Sequence, residues 1–257
     1  MSTRLFQDLQ TRYNEHMRWI YLSPHLDDAA LSAGGWIYEK VHAGDRVEIW
    51  TIVCGYPPPG ELSPLAQYLH VQWGTGTAEQ TVRLRRREDK KAVRILGARA
   101  LHLDIPDSIY RRGPAGEALY ENVFVQPHVL ESDLPVQMAS AISARLKPRD
   151  RVVCQFGIGG HVDHILVRQA AERLRRPLWY TVDLPYHFSQ PGALEQQVGG
   201  METIRTSLAE ASLKAWIEAI HAYRSQLSMV FDDTDRIEPD IRGFYSEWDG
   251  FPLWRSL

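Results

Sequence analysis

Short apolar or β-branched runs recur along the chain: RWIYLS (18–23), RVEIWTIV (46–53), ALHLDI (100–105), RVVCQF (151–156) and LWYTVDL (178–184). Each reads as a strand. Between several of them lie stretches with apolar residues at helical spacing, namely DDAALSAGGWIYEKVHAG (27–44), RREDKKAVRILGA (86–98) and HILVRQAAERLR (164–175). The alternation predicts an α/β chain with a mostly parallel sheet and helices on both faces. Gly44 and Gly97 fall where a helix should stop before the next strand, which supports this phasing. Sheets of this kind bind ligands outside the carboxyl ends of their strands, so chemistry is expected there.

The Pro- and Gly-rich GYPPPGELSP (55–64) and the aperiodic region 105–135 predict long loops that rim such a site. The aromatic-rich tail GFYSEWDGFPLWRSL predicts packing of the C-terminus onto the body rather than a substrate platform. No repeat or low-complexity segment interrupts the pattern. At 257 residues the chain is long enough for one sizeable core, and a single domain over 1–257 is expected.

The 29 Lys and Arg against 32 Asp and Glu leave a net charge of -3, no electrostatic footprint for nucleic acid or an anionic membrane. No run approaches the roughly 18 apolar residues of a membrane-spanning helix. The N-terminus MSTRLFQDLQTRYNEHMRW is too charged for a signal peptide, so a cytoplasmic protein is expected. Cys54 and Cys154 lie in or just after apolar runs and outside any CxxC motif, and are expected to be reduced, packed thiols.

Two clusters carry candidate chemistry. His25, Asp27 and Asp28 follow the first strand and open a helix; His161, Asp163 and His164 follow RVVCQF and open another. Both should meet at the carboxyl edge of one sheet. A catalytic zinc takes three ligands from His and carboxylate and keeps one position open for water, and two converging loops can supply such a set. Adjacent aspartates at a helix start point about 100° apart, so one can ligate while its neighbour faces the water as general base. Taken alone, Asp27 or Asp28 could be an N-cap, and either histidine a satisfied structural one. The joint occurrence of both clusters after strands of one sheet favours the metal reading.

Two other motifs fail on residues. GIGGHV would need glycine at Val162 to be a dinucleotide loop. HVDH resembles half of the H-x-H-x-D-H signature of metallo-β-lactamase-like hydrolases, but the leading histidine would fall at Gly159.

SPHLDD and GGHVDH together resemble the two motifs of the PIG-L/LmbE-like zinc de-N-acetylases, approximately (A/S)-P/H-H-x-D-D and H-x-D-H, in the right order. The likeness extends through RREDKKAVRILGA, similar to the family's R-x-x-E helix ending in Leu-Gly, LDIPD (103–107) and KAWIEAIHAYRSQ (214–226). The resemblance implies a Rossmann-like fold, in agreement with the periodicity. It also implies Zn²⁺, or another divalent ion such as Fe²⁺, on His25, Asp28 and His164, with Asp27 as the base that activates water. His161 would polarise the amide carbonyl or protonate the leaving amine, with Asp163 holding its ring, and Arg85 and Asp107 would contact the sugar.

Two departures bear on substrate choice: Ala29 stands where the family often has Glu, and Gly159 where some relatives carry tyrosine. The function implied is hydrolysis of the N-acetyl group of an amino sugar or its glycoconjugate. The alternatives are another metal-assisted amidase or phosphoester hydrolase, and a non-catalytic carbohydrate-binding relative.

Overall fold

In the computed structural model, which describes residues 16–57, 59–190 and 192–256, the apolar runs pair into one sheet. The charged segment up to residue 15, on which the expectation of no signal peptide largely rests, lies outside the described residues. The strands are β1 (Arg18–Ser23), β2 (Arg46–Thr51), β3 (Arg99–His102), β4 (Arg151–Gln155), β5 (Leu178–Thr181), β6 (Glu202–Thr206) and β7 (Phe251–Arg255), in the order β3-β2-β1-β4-β5-β7-β6. The first five are parallel; β7 runs antiparallel to β5, and β6 antiparallel to β7. Every residue of β1 after Arg18 is buried, which is why it reads as a continuous apolar run rather than an alternation.

The helices are α1 (Asp28–His42), α2 (Pro64–Gln72), α3 (Ala78–Ile95), α4 (Leu134–Ser143), α5 (Val162–Glu172), α6 (Tyr186–Ser189), α7 (Gly192–Val198), α8 (Glu210–Ile220), α9 (Leu227–Val230) and α10 (Ile237–Glu247). From β1 the chain crosses to β2 through α1, and from β4 it crosses the other way to β5 through α5. Right-handed crossovers in opposite directions put α1 and α5 on opposite faces and open a crevice between the carboxyl ends of β1 and β4. Gly44 (φ 95°) and Gly97 (φ 69°) end α1 and α3 in the left-handed region, as expected.

Other expectations are corrected in detail. α3 begins at Ala78, well before residue 86, because the Thr77 side chain caps it by accepting from the Gln80 N–H. The stretch read as loop ends in Ser63 and Pro64, which cap and open α2, a helix that the sequence reading did not expect. The aromatic tail forms β7, with Phe251 and Trp254 fully buried in the main core. Both thiols are free and buried. Among the described residues no helix is long and apolar enough to cross a membrane.

Two local devices hold this frame. α1 is kinked at Ala33 (φ -147°), which frees the Leu31 carbonyl to accept from Trp216 Nε1 of α8 at 3.1 Å. The indole then lies flat on Gly34 and Gly35: a Cβ on Gly34 would come within 2.6 Å of Trp216 Cδ1. Near the amino end of the sheet, buried Glu48 accepts from Arg18 Nε (3.1 Å) and Nη2 (2.8 Å) and from Trp50 Nε1 (3.0 Å), while Arg18 Nη1 reaches Asp150 at 2.6 Å. Burial works against the Glu48 charge, but Arg18, Trp50 and Arg46 outweigh it and hold its pKa at about 2.

Gly34→Ala is expected to destabilise the protein by roughly 1–3 kcal/mol, read as a lowered Tm, because neither the ring nor the helix has room to give. Glu48→Gln is expected to cost about 1–3 kcal/mol at neutral pH. A depressed carboxylate pKa stabilises above the unfolded value and is lost as pH falls through the folded one. The gap between wild type and Glu48→Gln in denaturant titrations should therefore narrow as pH drops from the ordinary 4.5 towards about 2. A constant gap over that window would show that Glu48 acts through packing alone.

Candidate active site

The turn between β1 and α1 is built so that three polar side chains face one point. Ser23 Oγ donates to the His25 carbonyl (2.7 Å) and accepts from the Ala29 N–H (3.0 Å), closing the turn. Asp28 Oδ2 accepts the His25 N–H at 2.7 Å and lies 3.1 Å from His25 Nδ1. The same oxygen lies 3.3 Å from His164 Nε2, which arrives on α5 from the far side of the crevice. His25 and His164, far apart in sequence, thus converge on one Asp28 carboxylate oxygen.

The outer nitrogens of both rings are held by further carboxylates. His25 Nε2 lies 3.1 Å from Asp163 Oδ2, and His164 Nδ1 2.8 Å from Asp183 Oδ1. Asp163 also accepts from the Ser108 N–H (3.1 Å) and from Arg111 Nη1 (2.5 Å), and Asp183 from the Ile158 N–H (2.9 Å). A carboxylate behind an imidazole fixes its tautomer and makes the inner nitrogen a better donor to a cation. His164 Nε2 is buried without a hydrogen-bond partner, since its approach to Asp28 is misaligned. Two imidazoles, one carboxylate and an orphaned inner nitrogen are the donors a divalent ion takes, so the residues present fit a metal. Nitrogens of His25, His161 and His164 also lie within 4.8 Å of one another, as do ligand atoms of His25, Asp107 and Asp163.

The charges follow from this packing. Burial opposes the Asp28 carboxylate, yet His164 and His25 hold its pKa well below the usual range. Burial likewise opposes a charge on His164, but Asp28 and Asp183 raise its pKa to about 9. His161 goes the other way: burial, and then repulsion from His25 and His164, push it well below its ordinary value. Its Nδ1 accepts the Asp163 N–H at 3.1 Å, which assigns the proton of the neutral ring to Nε2.

Asp27 occupies the N-cap position of α1, but its side chain makes no capping bond. Its Oδ1 lies 3.4 Å from Arg85 Nη2, so the simple cap reading does not hold. Arg85 reaches in from α3 with its guanidinium carbon 4.9 Å above the Trp73 ring, and its Nη1 is 3.5 Å from Asp107 Oδ2. The two residues expected to meet a sugar are thus both brought to the cleft. Burial raises the Asp27 pKa, against the pull of Arg85.

One expectation is corrected. The Asp163 carboxylate does not hold the His161 ring: it is drawn to Arg111 and His25, and only its backbone N–H reaches His161. The reason is charge, because Arg111 is a full cation and His161 a neutral ring. Arg111 comes from the 105–135 segment, where Glu131 also binds it (Arg111 Nε to Oε1, 2.5 Å) and itself accepts from Tyr120 OH (2.5 Å). Sequence reading missed Arg111, which no periodicity marks. It also missed Asp183, although an acid ending the run LWYTVDL obeys the same carboxyl-edge rule as the two clusters.

A cleft of about 200 Å³ opens over these groups, walled by Trp73, Ile109, Phe124, Tyr186 and Met229 among others. Of the two expected rim loops, 105–135 contributes Ile109, Val123 and Phe124, whereas the described residues of 55–64 line no part of this cleft and Leu69 of α2 and its C-cap Trp73 wall that side. Gly159 (φ 93°) lies against Tyr186: a Cβ there would come within 2.6 Å of Tyr186 Cγ. The space that a side chain at 159 would take is filled by this ring, which lines the cleft.

Known proteins are similar to this chain in sequence and fold. Over 252 residues the chain is 26% identical to the 2'-N-acetylparomamine deacetylase of Niallia circulans, covering 91% of this chain and 89% of that protein. A crystal structure of a deacetylase-bog complex from the teicoplanin biosynthesis pathway superposes with a TM-score of 0.80 at 28% identity, over 93% of this chain and 97% of that one. The zinc-inhibited form of the teicoplanin deacetylase Orf2 does so with a TM-score of 0.80 at 27% identity and the same coverage. The family model for GlcNAc-PI de-N-acetylase (PIG-L) matches residues 20–174, a span that runs from β1 through both His/Asp clusters to the end of α5. With that match over more than half of its length, and with deacetylases as its relatives, the chain belongs to the PIG-L family of de-N-acetylases.

Proposed function

We propose that this deacetylase is metal-dependent and hydrolyses the acetyl amide of an N-acetylated amino sugar or its conjugate, with His25, Asp28 and His164 as the metal ligands. The observation that carries the reading is the convergence of His25 Nδ1 and His164 Nε2 on one Asp28 oxygen, each ring backed by its own carboxylate. A bound divalent ion would supply Lewis acidity and lower the pKa of a water towards ~7. Zinc is our assignment; Fe²⁺ suits the same donors.

The remaining work falls to this chain's own groups. Asp27, neither a cap nor bonded to a ligand, is the base that takes a proton from the attacking water. As the new C–O bond forms, neutral His161 donates a hydrogen bond from Nε2 to the carbonyl oxygen, and the proton that Asp27 took from the water passes to the nitrogen as the C–N bond breaks. Acetate and a free amine leave. Asp163 is a positioning residue, orienting His25 through its carboxylate and His161 through its N–H. Arg85 and Asp107 bind sugar hydroxyls at the cleft wall opposite. Two buried free thiols suit a reducing compartment, and we place the enzyme in the cytoplasm.

Elemental analysis of wild-type protein is expected to find about one zinc or iron per chain, and His164→Ala, checked for folding by circular dichroism, to lose it. No metal in the wild type, even after zinc is added, would remove the ligand assignment. Asp27→Asn is expected to keep its metal and lose roughly 10²–10⁴-fold in kcat on an N-acetylated amino sugar, with KM little changed. Wild-type turnover in that variant would take Asp27 out of the reaction.

A further inference from the structure

The two imidazoles that meet at Asp28 are backed unequally. Behind His164 stands Asp183, whose Oδ1 lies 2.8 Å from His164 Nδ1 and whose Oδ2 accepts the Ile158 N–H at 2.9 Å. Among the described residues no arginine or lysine is paired with it. Behind His25 stand two carboxylates, and each is shared with an arginine. Asp163 Oδ2 lies 3.1 Å from His25 Nε2 and also takes the Ser108 N–H, while Arg111 Nη1 holds its Oδ1 at 2.5 Å. Asp107 Oδ2 is further off, 3.9 Å from His25 Nε2 and 3.5 Å from Arg85 Nη1.

A carboxylate behind an imidazole makes the inner nitrogen a better donor through the negative charge it brings to the ring. A cation on the other carboxylate oxygen cancels part of that charge, and between buried groups little water screens the effect. Asp163 is fully buried, and Arg111 and Glu131 are less than a tenth exposed. His25 is therefore the weaker imidazole donor of the two. The line of charges continues outward: Arg111 Nε lies 2.5 Å from Glu131 Oε1, and Glu131 Oε2 accepts from Tyr120 OH at 2.5 Å. Glu131 draws the guanidinium off Asp163, as Arg111 draws Asp163 off His25. The Tyr120 hydroxyl in turn draws Glu131 off Arg111. The sign of the effect on His25 thus alternates from one member to the next.

We propose that Arg111 is a positioning residue that acts through Asp163 to set the strength of His25 as a metal ligand, and that Glu131 and Tyr120 tune it in alternating sense. The proposal rests on the ligand assignment above and extends it to residues that line no part of the cleft.

The test measures the zinc dissociation constant of the metal-free protein by competition with a chromophoric chelator at fixed pH, with the fold of each variant checked by circular dichroism. Asp163→Asn is expected to weaken binding by roughly 10–100-fold, as when a partner behind a metal-bound histidine is lost. Glu131→Gln gives Arg111 wholly to Asp163 and is expected to weaken it by about threefold or more, a fraction of that range. Arg111→Gln with Glu131→Gln removes the ion pair together and is expected to tighten binding by about threefold or more, and Tyr120→Phe by about twofold. Residues that only anchor the loop would weaken binding whenever they are altered, so the sign is the readout. Unchanged binding in Glu131→Gln, or unchanged or weaker binding in Tyr120→Phe or in the folded double variant, overturns the proposal and leaves Arg111 as a loop anchor. Should the double variant not fold, the opposite signs for Glu131→Gln and Tyr120→Phe decide alone. No zinc uptake by the wild type overturns the ligand assignment itself, and this proposal with it.

Discussion

Asp28 is a carboxylate taken out of water at the carboxyl edge of the sheet, and the rest of the site is arranged around that cost. Its charge is held by the His25 N–H and by two imidazoles. Those rings keep their orientation only because Asp163 and Asp183 stand behind them. The two outer carboxylates are themselves buried and need their own partners, which are Arg111 and the Ser108 N–H for one and the Ile158 N–H for the other. Each layer of charge thus demands the next. Removing one partner from such a set strands the others without water, a loss of about 3–5 kcal/mol where buried pairs are broken. The network therefore ties the loops to the sheet.

This dependence explains why an aperiodic stretch can shape the cleft. Residues 105–133 hold only short 3₁₀ turns and one isolated bridge, yet Arg111 anchors them by reaching from Glu131 to Asp163. Once anchored, the segment presents Ile109, Val123 and Phe124 to the cleft. The β1 and β4 ends supply fixed chemistry, and the anchored loop supplies a wall that can change without moving it.

The legible parts of the structure were those where one physical rule acts alone. Four of the five parallel strands, β1, β2, β4 and β5, are buried on both faces, so they stand out as apolar runs, and the two His/Asp clusters stand out because charge directly after such a run needs a reason. β6 was not legible: ETIRT is partly exposed and mostly polar, so it shows neither a run nor a clean alternation. β7 contains a proline and lies in a tail whose aromatics suggested packing without pairing. The pairing is antiparallel and comes from the far end of the chain, where no helix-strand phasing announces it. Asp163 was placed correctly but given the wrong neighbour, because the cation that captures it is more than fifty residues away.

The departure at Gly159 becomes intelligible in space rather than in sequence. Where a side chain is missing at Gly159, the left-handed backbone lets the loop pass close to Tyr186, and the ring takes the position over the cleft. Burial, and the nearby Asp28, Asp27 and Asp183, push the Tyr186 phenol well above its ordinary pKa, so at neutral pH it stays protonated. Tyr186 also belongs to the wall that the cleft shares with an adjoining groove. One aromatic side chain thus borders the carboxylates of the cleft on one side and the apolar surface around Phe188 on the other. A change of glycine to a larger residue at 159 would displace that ring from both volumes at once, which couples the shape of the cleft to that of the groove beside it.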